Sequence, residues 1–395
     1  MSTERVSRRR FLAGMGTVGV TTLAGCSADE NSPYSPGEKT DTEWPMPAYN
    51  ERYSGYNPEA AAPREDVTER WSAKVYMPSG RPVVAAETVF IPTAGGLHAL
   101  DIDTGKERWH TEGEDSLVRS PVVHNGTVYV TSRTKPGLRA LDVRDGSERW
   151  HLSARGGIEG SPTFSFDREW LFVGDDTGRV YQMNPENGKV KHTVDVFGRV
   201  TTLAYRRTLL VGTSGGEVYS FYDDGHRLQG LWRRKVGGAV TAISFPDGVY
   251  VATFGGPLYR LSGSLRAGAS RWEHEHGATN LAATAHDVVG TNAATMRVLE
   301  ARTGNQKWIL DNASQCSPAI AGDTLYVGTN DGIEAYALDS GTTIAGYEYG
   351  YGEKRWSFST PSAPLEGIAV ADGAVFAVTG ANKDGTSMVY ALDPA

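Results

Sequence analysis

Short apolar runs recur along most of the chain at intervals of about forty residues, and polar turns rich in glycine separate them. Each run is about four residues long, which suits a strand better than a helix. A strand with one solvent-exposed face alternates apolar and polar residues, and these runs do not. They therefore predict strands buried on both faces. The eight runs begin at Thr88, Thr127, Trp170, Thr208, Gly248, His286, Thr324 and Ala374.

A second repeated feature is an eleven-residue pattern with alanine first, an acid third, glycine seventh and tryptophan last. Residues 99–109 and 140–150 match at all four places, residues 298–308 lack only the alanine, and residues 182–192 keep Gly188 but end in His192. Because glycine accepts the positive φ of a tight turn, each copy predicts a β-hairpin. A period near forty residues suits one four-stranded sheet per repeat.

Counting the repeats predicts how the chain closes. Seven repeats have all four strands, whereas the eighth stops after its third strand at Asp393. Residues 67–71, Val-Thr-Glu-Arg-Trp, have the sequence of a fourth strand without a preceding three. We therefore predict an all-β, eight-bladed propeller of four-stranded blades, with its last blade closed by residues 67–71. A linear stack of the same repeats would leave both parts of that blade unpaired.

The N-terminus carries export and anchoring signals. Residues 7–12, with Arg8 and Arg9, resemble a twin-arginine export signal, and the apolar residues 11–24 are too few to span a membrane stably. Residues 23–26, Leu-Ala-Gly-Cys, match a lipobox, so we expect lipid attachment at Cys26. The alternative is a small-residue cleavage site beside an ordinary cysteine. The expected location is the outer face of the cytoplasmic membrane.

These signals divide the chain into four parts. Residues 1–25 are the expected signal peptide, and the polar residues 26–42 are an expected disordered tether. Residues 43–66 are rich in aromatic side chains and predict an irregular strap packed on the body, with a functional aromatic patch as the alternative. Residues 67–395 are the predicted propeller.

Composition and charge reduce the number of functions that the sequence allows. The net charge is −8, which argues against nucleic-acid binding. The chain has two cysteines, Cys26 and Cys316, and the latter is expected to be a small buried side chain.

His274 and His276 could offer metal ligands, but no third ligand is evident and a solvated loop is favoured. The sequence predicts no catalytic, cofactor-binding or metal-binding residue. Asn125 and Asn312 begin glycosylation sequons, and their state is left open.

The pattern Ala-x-Asp-x-x-Thr-Gly-Lys-x-x-Trp at residues 99–109 resembles the repeat of the PQQ-repeat propeller superfamily, and the resemblance covers residues 67–395. That superfamily contains quinoprotein alcohol dehydrogenases and BamB-like assembly lipoproteins. The segment before the repeats is similar to that of haloarchaeal lipoproteins of this type. The resemblance implies that each repeat tryptophan stacks on the turn of the neighbouring blade. This structural girdle would comprise Trp71, Trp109, Trp150, Trp232, Trp272, Trp308 and Trp356.

The resemblance does not extend to the dehydrogenase chemistry. Those enzymes place their quinone against a disulfide of two adjacent cysteines, with a calcium ion and a catalytic aspartate, and this chain has no adjacent cysteines. WD40 propellers are a weaker match, because no repeat tryptophan is followed by aspartate.

One repeat carries an insertion at residues 342–352, which interrupts a hairpin and must project from the ring. Its residues Tyr347, Tyr349 and Tyr351 are a candidate partner contact, and packing against the strap is an equal alternative. The function favoured by the sequence is a monomeric, lipid-anchored, non-enzymatic scaffold or assembly factor that binds other cell-envelope proteins. The alternatives are a quinone-dependent dehydrogenase or small-ligand binder using the central channel, and a carbohydrate-binding surface protein.

Overall fold

Thirty-three strands and no helix form the described part of the protein, which in the computed structural model comprises residues 32–111, 118–119, 121–263, 268–341 and 351–395. None of these residues belongs to a helix long and apolar enough to cross a membrane. In chain order the strands are β1 (Tyr56–Asn57), β2 (Val67–Tyr76), β3 (Val83–Ala85), β4 (Thr88–Thr93), β5 (Gly96–Asp101), β6 (Glu107–His110), β7 (Val122–His124), β8 (Thr127–Ser132), β9 (Gly137–Asp142), β10 (Glu148–Ser153), β11 (Thr163–Phe164), β12 (Leu171–Gly174), β13 (Arg179–Met183), β14 (Val190–Asp195), β15 (Val200–Tyr205), β16 (Leu209–Thr213), β17 (Glu217–Asp223), β18 (Leu228–Lys235), β19 (Ala239–Ser244), β20 (Val249–Phe254), β21 (Leu258–Leu261), β22 (Ser270–His274), β23 (Asn280–Ala283), β24 (Asp287–Thr291), β25 (Met296–Glu300), β26 (Gln306–Leu310), β27 (Ala319–Ala321), β28 (Thr324–Thr329), β29 (Gly332–Ala337), β30 (Lys354–Ser359), β31 (Pro364–Ala371), β32 (Ala374–Thr379) and β33 (Thr386–Pro394).

Thirty-two of these strands, β2 to β33, form eight antiparallel four-stranded blades, numbered from the N-terminus. Blades 1 to 7 each take four consecutive strands, from β3–β6 in blade 1 to β27–β30 in blade 7. Blade 8 combines β31, β32 and β33 with β2 as its fourth strand. In it Trp71 lies opposite Ala391, as Trp109 lies opposite Ala99 in blade 1. The predicted eight-bladed propeller is therefore confirmed, and β2 extends past the predicted residue 71 to Tyr76.

Burial falls from the second strand of each blade to its outer edge. All six residues are buried in β4, β8 and β32, so these strands have no wet face. The outermost strands β6 and β10 alternate between exposed and half-buried residues. The apolar runs of the sequence therefore lie between packed blades, where both sides of each strand leave water.

The first strand of each blade is the innermost. β3 contacts both β7 and β31, which closes the ring between blades 8 and 1. Because the innermost strands all run in one direction, the ring has two distinct faces. We call the face where these strands begin the mouth face, and the face where they end the strap face. Antiparallel pairing also places the turn between the third and fourth strands of each blade on the strap face.

That turn is the repeated hairpin of the sequence. In blade 1 the Gly105 amide donates to the Asp101 carbonyl at 2.9 Å, with Gly105 at φ 66°. A Cβ on Gly105 would lie 2.5 Å from the Trp71 ring of the neighbouring blade. The Trp71 Nε1 donates to the Ile102 carbonyl at 2.7 Å. Glycine is therefore required at position 105 for two reasons: the turn needs a positive φ, and the Trp71 indole leaves no room for a side chain.

Tryptophan–glycine contacts of this kind join other neighbouring blades. The contacting pairs are Trp109 with Gly146, Trp150 with Gly188, Trp232 with Gly268, Trp272 with Gly304, and Trp308 with Gly352. Trp356 of blade 7 differs, because blade 8 joins two chain ends where other blades have a hairpin. Its Nε1 donates instead to the Pro63 carbonyl at 2.9 Å.

A blind central channel as the candidate functional site

The strap closes one end of the central channel. Residues 42–55 make one circuit of the strap face, and their carbonyl oxygens accept hydrogen bonds of 2.6–3.1 Å from the innermost strands or the residues just after them. The contacts follow the ring in chain order. Thr42 contacts blade 8, Trp44 blade 1, Pro45 blade 2, Glu51 blades 3 and 4, Arg52 blade 5, Ser54 blade 6 and Gly55 blade 7.

Apolar side chains fix the strap to the ring. Trp44, Met46 and Ala48 are at most 3% exposed. β1 pairs in parallel with β27, which adds a fifth strand to the inner edge of blade 7. Packing begins before residue 43, because the buried Tyr34 hydroxyl is 2.6 Å from Thr284 Oγ1 and donates to Asp287 Oδ2 at 2.8 Å.

The other end of the channel opens on the mouth face. A cavity of about 460 Å³, which we call the mouth cavity, lies among residues that precede or begin the innermost strands of six blades. Its lining is mostly polar, and hydroxyl, amide and charged groups face one another across it. The lining residues are Ser79, Gly80, Arg81, Arg119, Glu159, Ser161, Thr279, Asn280, Gln315, Leu365 and Glu366.

A smaller chamber of about 130 Å³ adjoins the mouth cavity and shares Arg81, Glu159 and Ser161 with it. Pro47 and Tyr53 of the strap form part of its wall, and blades 4 and 5 contribute Thr201, Thr202, Thr241, Ala242 and Ile243. Burial raises the pKa of Tyr53, although a hydrogen bond with Ser161 opposes the shift. The channel is therefore a polar pocket, open at the mouth face and floored by the strap.

Arg81 connects the two ends of this pocket. One guanidinium nitrogen donates to Asn280 Oδ1 at 3.1 Å and another to the Pro47 carbonyl at 3.5 Å. Both of these acceptors are neutral. Burial lowers the pKa of Arg81, because the guanidinium loses hydration there.

Two carboxylates share the channel with the arginines. Glu159 lies 3.1 Å from Arg133 and 3.3 Å from Arg199. Burial raises the pKa of Glu366, while Arg119 and then Arg81 act in the opposite direction. Arg119 donates to the Ser79 carbonyl at 3.0 Å, and its buried Nε has no hydrogen-bond partner. The described residues thus place four arginines and two glutamates around this mouth.

A larger cavity lies on the strap face between blades 2 and 3. It measures about 630 Å³ and is lined in part by His124, Arg168 and Trp170. The Lys191 ammonium lies 4.1 Å from the centre of the Trp170 ring. Since a cation already covers one face of this ring, the cavity offers less stacking surface than its composition suggests.

The structure brings few of the sequence-predicted site residues into the channel. Arg8, Arg9, Cys26, Tyr347 and Tyr349 lie outside the described residues. Tyr351 is described and is 72% exposed on the strap face of blade 7. The predicted girdle tryptophans lie at blade junctions, away from the channel mouth.

Other residues singled out in the sequence occupy separate places. Cys316 is fully buried, which raises the pKa of its thiol to about 12. His274 Nδ1 lies 3.2 Å from the His276 carbonyl oxygen. Asn125 is exposed in its turn, whereas Asn312 donates to Asp331 Oδ2 at 2.7 Å. No three His, Cys, Asp or Glu side chains within the described ranges are placed to hold a metal ion.

The channel residues could not be predicted from the repeat because they lie outside it. Arg81, Arg119 and Glu159 occupy loops that differ from blade to blade, and only closure of the ring brings them together. One signal was present, since polar or charged residues stand just before several innermost strands. These polar positions become recognisable as one group only when the sequences of the blades are aligned.

The channel residues do not fit the quinone site implied by the dehydrogenase branch of the superfamily. Tyr53 is the one aromatic ring in the described lining, so a planar cofactor would have little to stack against. Both lining carboxylates, Glu159 and Glu366, face arginines rather than each other, which disfavours a calcium ion. No step of quinone chemistry is therefore assigned to these residues.

Comparison with solved structures supports the fold. BamB from Moraxella catarrhalis is 18% identical, with a TM-score of 0.63 over 82% of this chain and 97% of that one. Quinohemoprotein alcohol dehydrogenase from Comamonas testosteroni is 14% identical, with a TM-score of 0.68 over 89% of this chain and 80% of that one. The computationally designed protein Ika8 is 18% identical, with a TM-score of 0.62 over 86% and 99%. An assembly protein, an enzyme and a design share this architecture, so it does not define the activity.

Sequence comparison gives the family. No curated protein matches the chain significantly. Residues 60–189, 152–293 and 229–348 match the family described as "Outer membrane protein assembly factor BamB". Together these ranges cover residues 60–348, well over half of the chain. The protein therefore belongs to the BamB family of PQQ-repeat propellers.

Proposed function

We propose that the protein is an exported, lipid-anchored and non-enzymatic propeller that serves as a scaffold or assembly factor for other cell-envelope proteins. The main support is membership of a family described as an assembly factor. The twin-arginine motif at Arg8 and Arg9 and the lipobox cysteine Cys26 add an export route and an anchor. The lining of the channel fits a quinone poorly, which favours a non-enzymatic scaffold over a quinone-dependent dehydrogenase.

The ring offers exposed surfaces to a partner on both faces. On the strap face Tyr351 is 72% exposed, and the sequence places Tyr347 and Tyr349 in the same insertion. On the mouth face Phe197 and Phe254 are 67% and 71% exposed. Exposed aromatic side chains on loops are common anchors of protein interfaces. We take the tyrosine-rich insertion as the first partner site to test.

Anchoring is tested by the variant Cys26→Ser. Fractionation of cells should find the wild-type protein in membranes and the variant in the soluble or secreted fraction. Arg8→Lys together with Arg9→Lys should leave the precursor inside the cell. Membrane attachment that persists in Cys26→Ser would contradict the lipid anchor.

The partner site is tested by cross-linking in native membranes, followed by mass spectrometry. Replacing Tyr347, Tyr349 and Tyr351 by serine should remove specific cross-linked envelope proteins. The matched control replaces Phe166 and Tyr222, which are 65% and 49% exposed on the same face. Equal loss of cross-links in both variants would mean that the insertion is not the partner site.

A second candidate function is binding of a small ligand in the channel. The blind, polar mouth cavity of about 460 Å³ specifically favours it, because such pockets typically measure about 300–1,000 Å³. Equilibrium dialysis of the purified protein against small polar metabolites tests it. Failure to retain any compound would leave the scaffold proposal untouched.

A further inference from the structure

We propose that the mouth cavity is a binding site for a small carboxylate, held by the guanidinium groups of Arg119 and Arg81. This inference concerns the channel alone. It does not depend on the lipid anchor or on the tyrosine-rich insertion, so its failure would not affect the scaffold proposal.

Arg119 offers a charged donor to the mouth cavity. Arg119 donates to the Ser79 carbonyl at 3.0 Å, a neutral acceptor that satisfies one nitrogen without neutralising the group. Its Nε is buried and lacks a hydrogen-bond partner. Arg119 is half-buried and lines the mouth cavity, and a guanidinium with further N–H donors favours an anionic acceptor, which a carboxylate provides through two parallel hydrogen bonds.

The charged side chains around the mouth cavity contrast with the acidic chain as a whole. The chain as a whole carries −8, yet four arginines and two glutamates of the described residues surround this mouth. Arg133 and Arg199 lie 3.1 and 3.3 Å from Glu159, whereas Arg119 and then Arg81 act to lower the pKa of Glu366. Arginines outnumber glutamates among these residues, and a local excess of positive charge attracts small anions.

Glu366 lines the same cavity as Arg119 and Arg81. Its side chain is half-buried, and no ion pair within 4.0 Å joins it to Arg119. Burial raises the pKa of this carboxyl, so the protonated form is favoured relative to an exposed glutamate. A protonated carboxyl does not repel a bound carboxylate and can donate a hydrogen bond to it.

The volume and the other polar groups of the mouth cavity also suit a small acid. About 460 Å³ accommodates an acid of a few carbons. Ser161 and Gln315 line the same space, and Asn280 Oδ1 holds Arg81 in place at 3.1 Å. The lining has little aromatic surface, so a compact carboxylate fits it better than a planar quinone.

Succinate is the first probe, and its neutral analogue succinamide is the chemical control. Isothermal titration and thermal unfolding of the purified full chain are measured at constant ionic strength. We expect saturable binding of succinate and a rise in the unfolding temperature, with neither effect from succinamide. Equal responses to both compounds, or no saturation, would overturn the proposal.

Two variants of lining residues and one control variant test the location of the site. Arg119→Gln should weaken succinate binding by about tenfold or more, because it removes a charge-assisted contact. Asn280→Asp keeps the size of the side chain and should also weaken binding, since it adds a negative charge beside Arg81. Arg302→Gln is the control, because Arg302 is 80% exposed on the strap face. Unchanged binding in both site variants, with folding intact, would refute the site.

Discussion

The joints between blades depend on single glycines that meet two requirements at once. Gly105 has φ 66°, and a Cβ there would lie 2.5 Å from the Trp71 ring. The turn would tolerate asparagine at some cost, but the neighbouring indole leaves no room for any side chain. The Asp101 carboxylate completes the turn, and the adjacent Arg108 holds its pKa at about 2.

Gly105→Ala should destabilise the protein more than Gly255→Ala, although the two glycines have nearly the same φ, 66° and 67°. Both variants bear the cost of an alanine in the left-handed region, roughly 1–2 kcal/mol. A Cβ on Gly255 would meet nothing within 4 Å, whereas one on Gly105 would strike Trp71 and add about 1–3 kcal/mol. Urea unfolding measures the difference. Equal losses would show that the indole adapts without strain.

A second residue-scale prediction concerns pH. Since the pKa of Glu366 is raised in the folded state, the folded protein keeps a proton that the unfolded chain releases. Stability should therefore fall as pH rises from about 4.5, the ordinary value for glutamate, through the raised pKa of Glu366. Glu366→Gln should remove this component and stabilise the protein at pH 7.

The measurement is urea unfolding in carboxylate-free buffers between pH 4.5 and pH 7.5, a range that begins at the ordinary glutamate pKa. Glu273→Gln, at an exposed position, controls for the loss of one negative charge. A Glu366→Gln profile parallel to the wild type would mean that Glu366 titrates alike in the folded and unfolded states.

At the level of elements, the strap differs from every blade strand in how it is held. Its aromatic residues signalled packing in advance, because a solvated linker would not carry Trp44 and Tyr49 so close together. The circuit itself could not be read from the sequence. It relies on carbonyl oxygens, which every residue has, and Glu51 alone serves two blades in this way. Backbone contacts leave no pattern of side chains to detect.

Replacing residues 42–55 by a glycine–serine segment of equal length should expose the amides that donate to the strap. Hydrogen exchange should accelerate at Val123, Tyr205, Phe245 and Ala283, because the segment loses the buried apolar side chains that hold its carbonyl acceptors against these amides. Amides of the buried strand β4 should keep their protection, since β2 and β33 still close the ring. Uniform loss of protection would show instead that the strap holds the whole ring together.

At the scale of the whole molecule, repetition determined what could be predicted. Seven complete repeats, an eighth that stops after its third strand, and an unpaired strand ending in Trp71 were enough to predict the number of blades and the closure. The mouth cavity could not be predicted in the same way. Its residues come from six blades at positions where the repeats differ, and they meet only when β3 contacts β31. Local sequence determines each blade, whereas ring closure creates the channel.

The closed ring and the proposed anchor together predict how the molecule is oriented on a membrane. Tyr34 packs against Thr284 and Asp287 of blade 6. Tyr34 is eight positions after Cys26, which limits the reach to at most about 29 Å. We expect blade 6 to stay near the bilayer, with its strap-face turns closer to the lipid than its mouth-face turns.

A fluorophore attached to a single cysteine can measure this orientation on vesicles carrying the lipidated protein. Asn305→Cys lies in the strap-face turn of blade 6 and Ala294→Cys in its mouth-face turn, and both positions are exposed. The remaining cysteine of the body, Cys316, is buried and should not react. Spin-labelled lipid headgroups should quench the label at residue 305 more than the label at residue 294. Equal quenching would indicate that the tether lets the ring tumble freely, and the reverse order would place the channel mouth against the membrane.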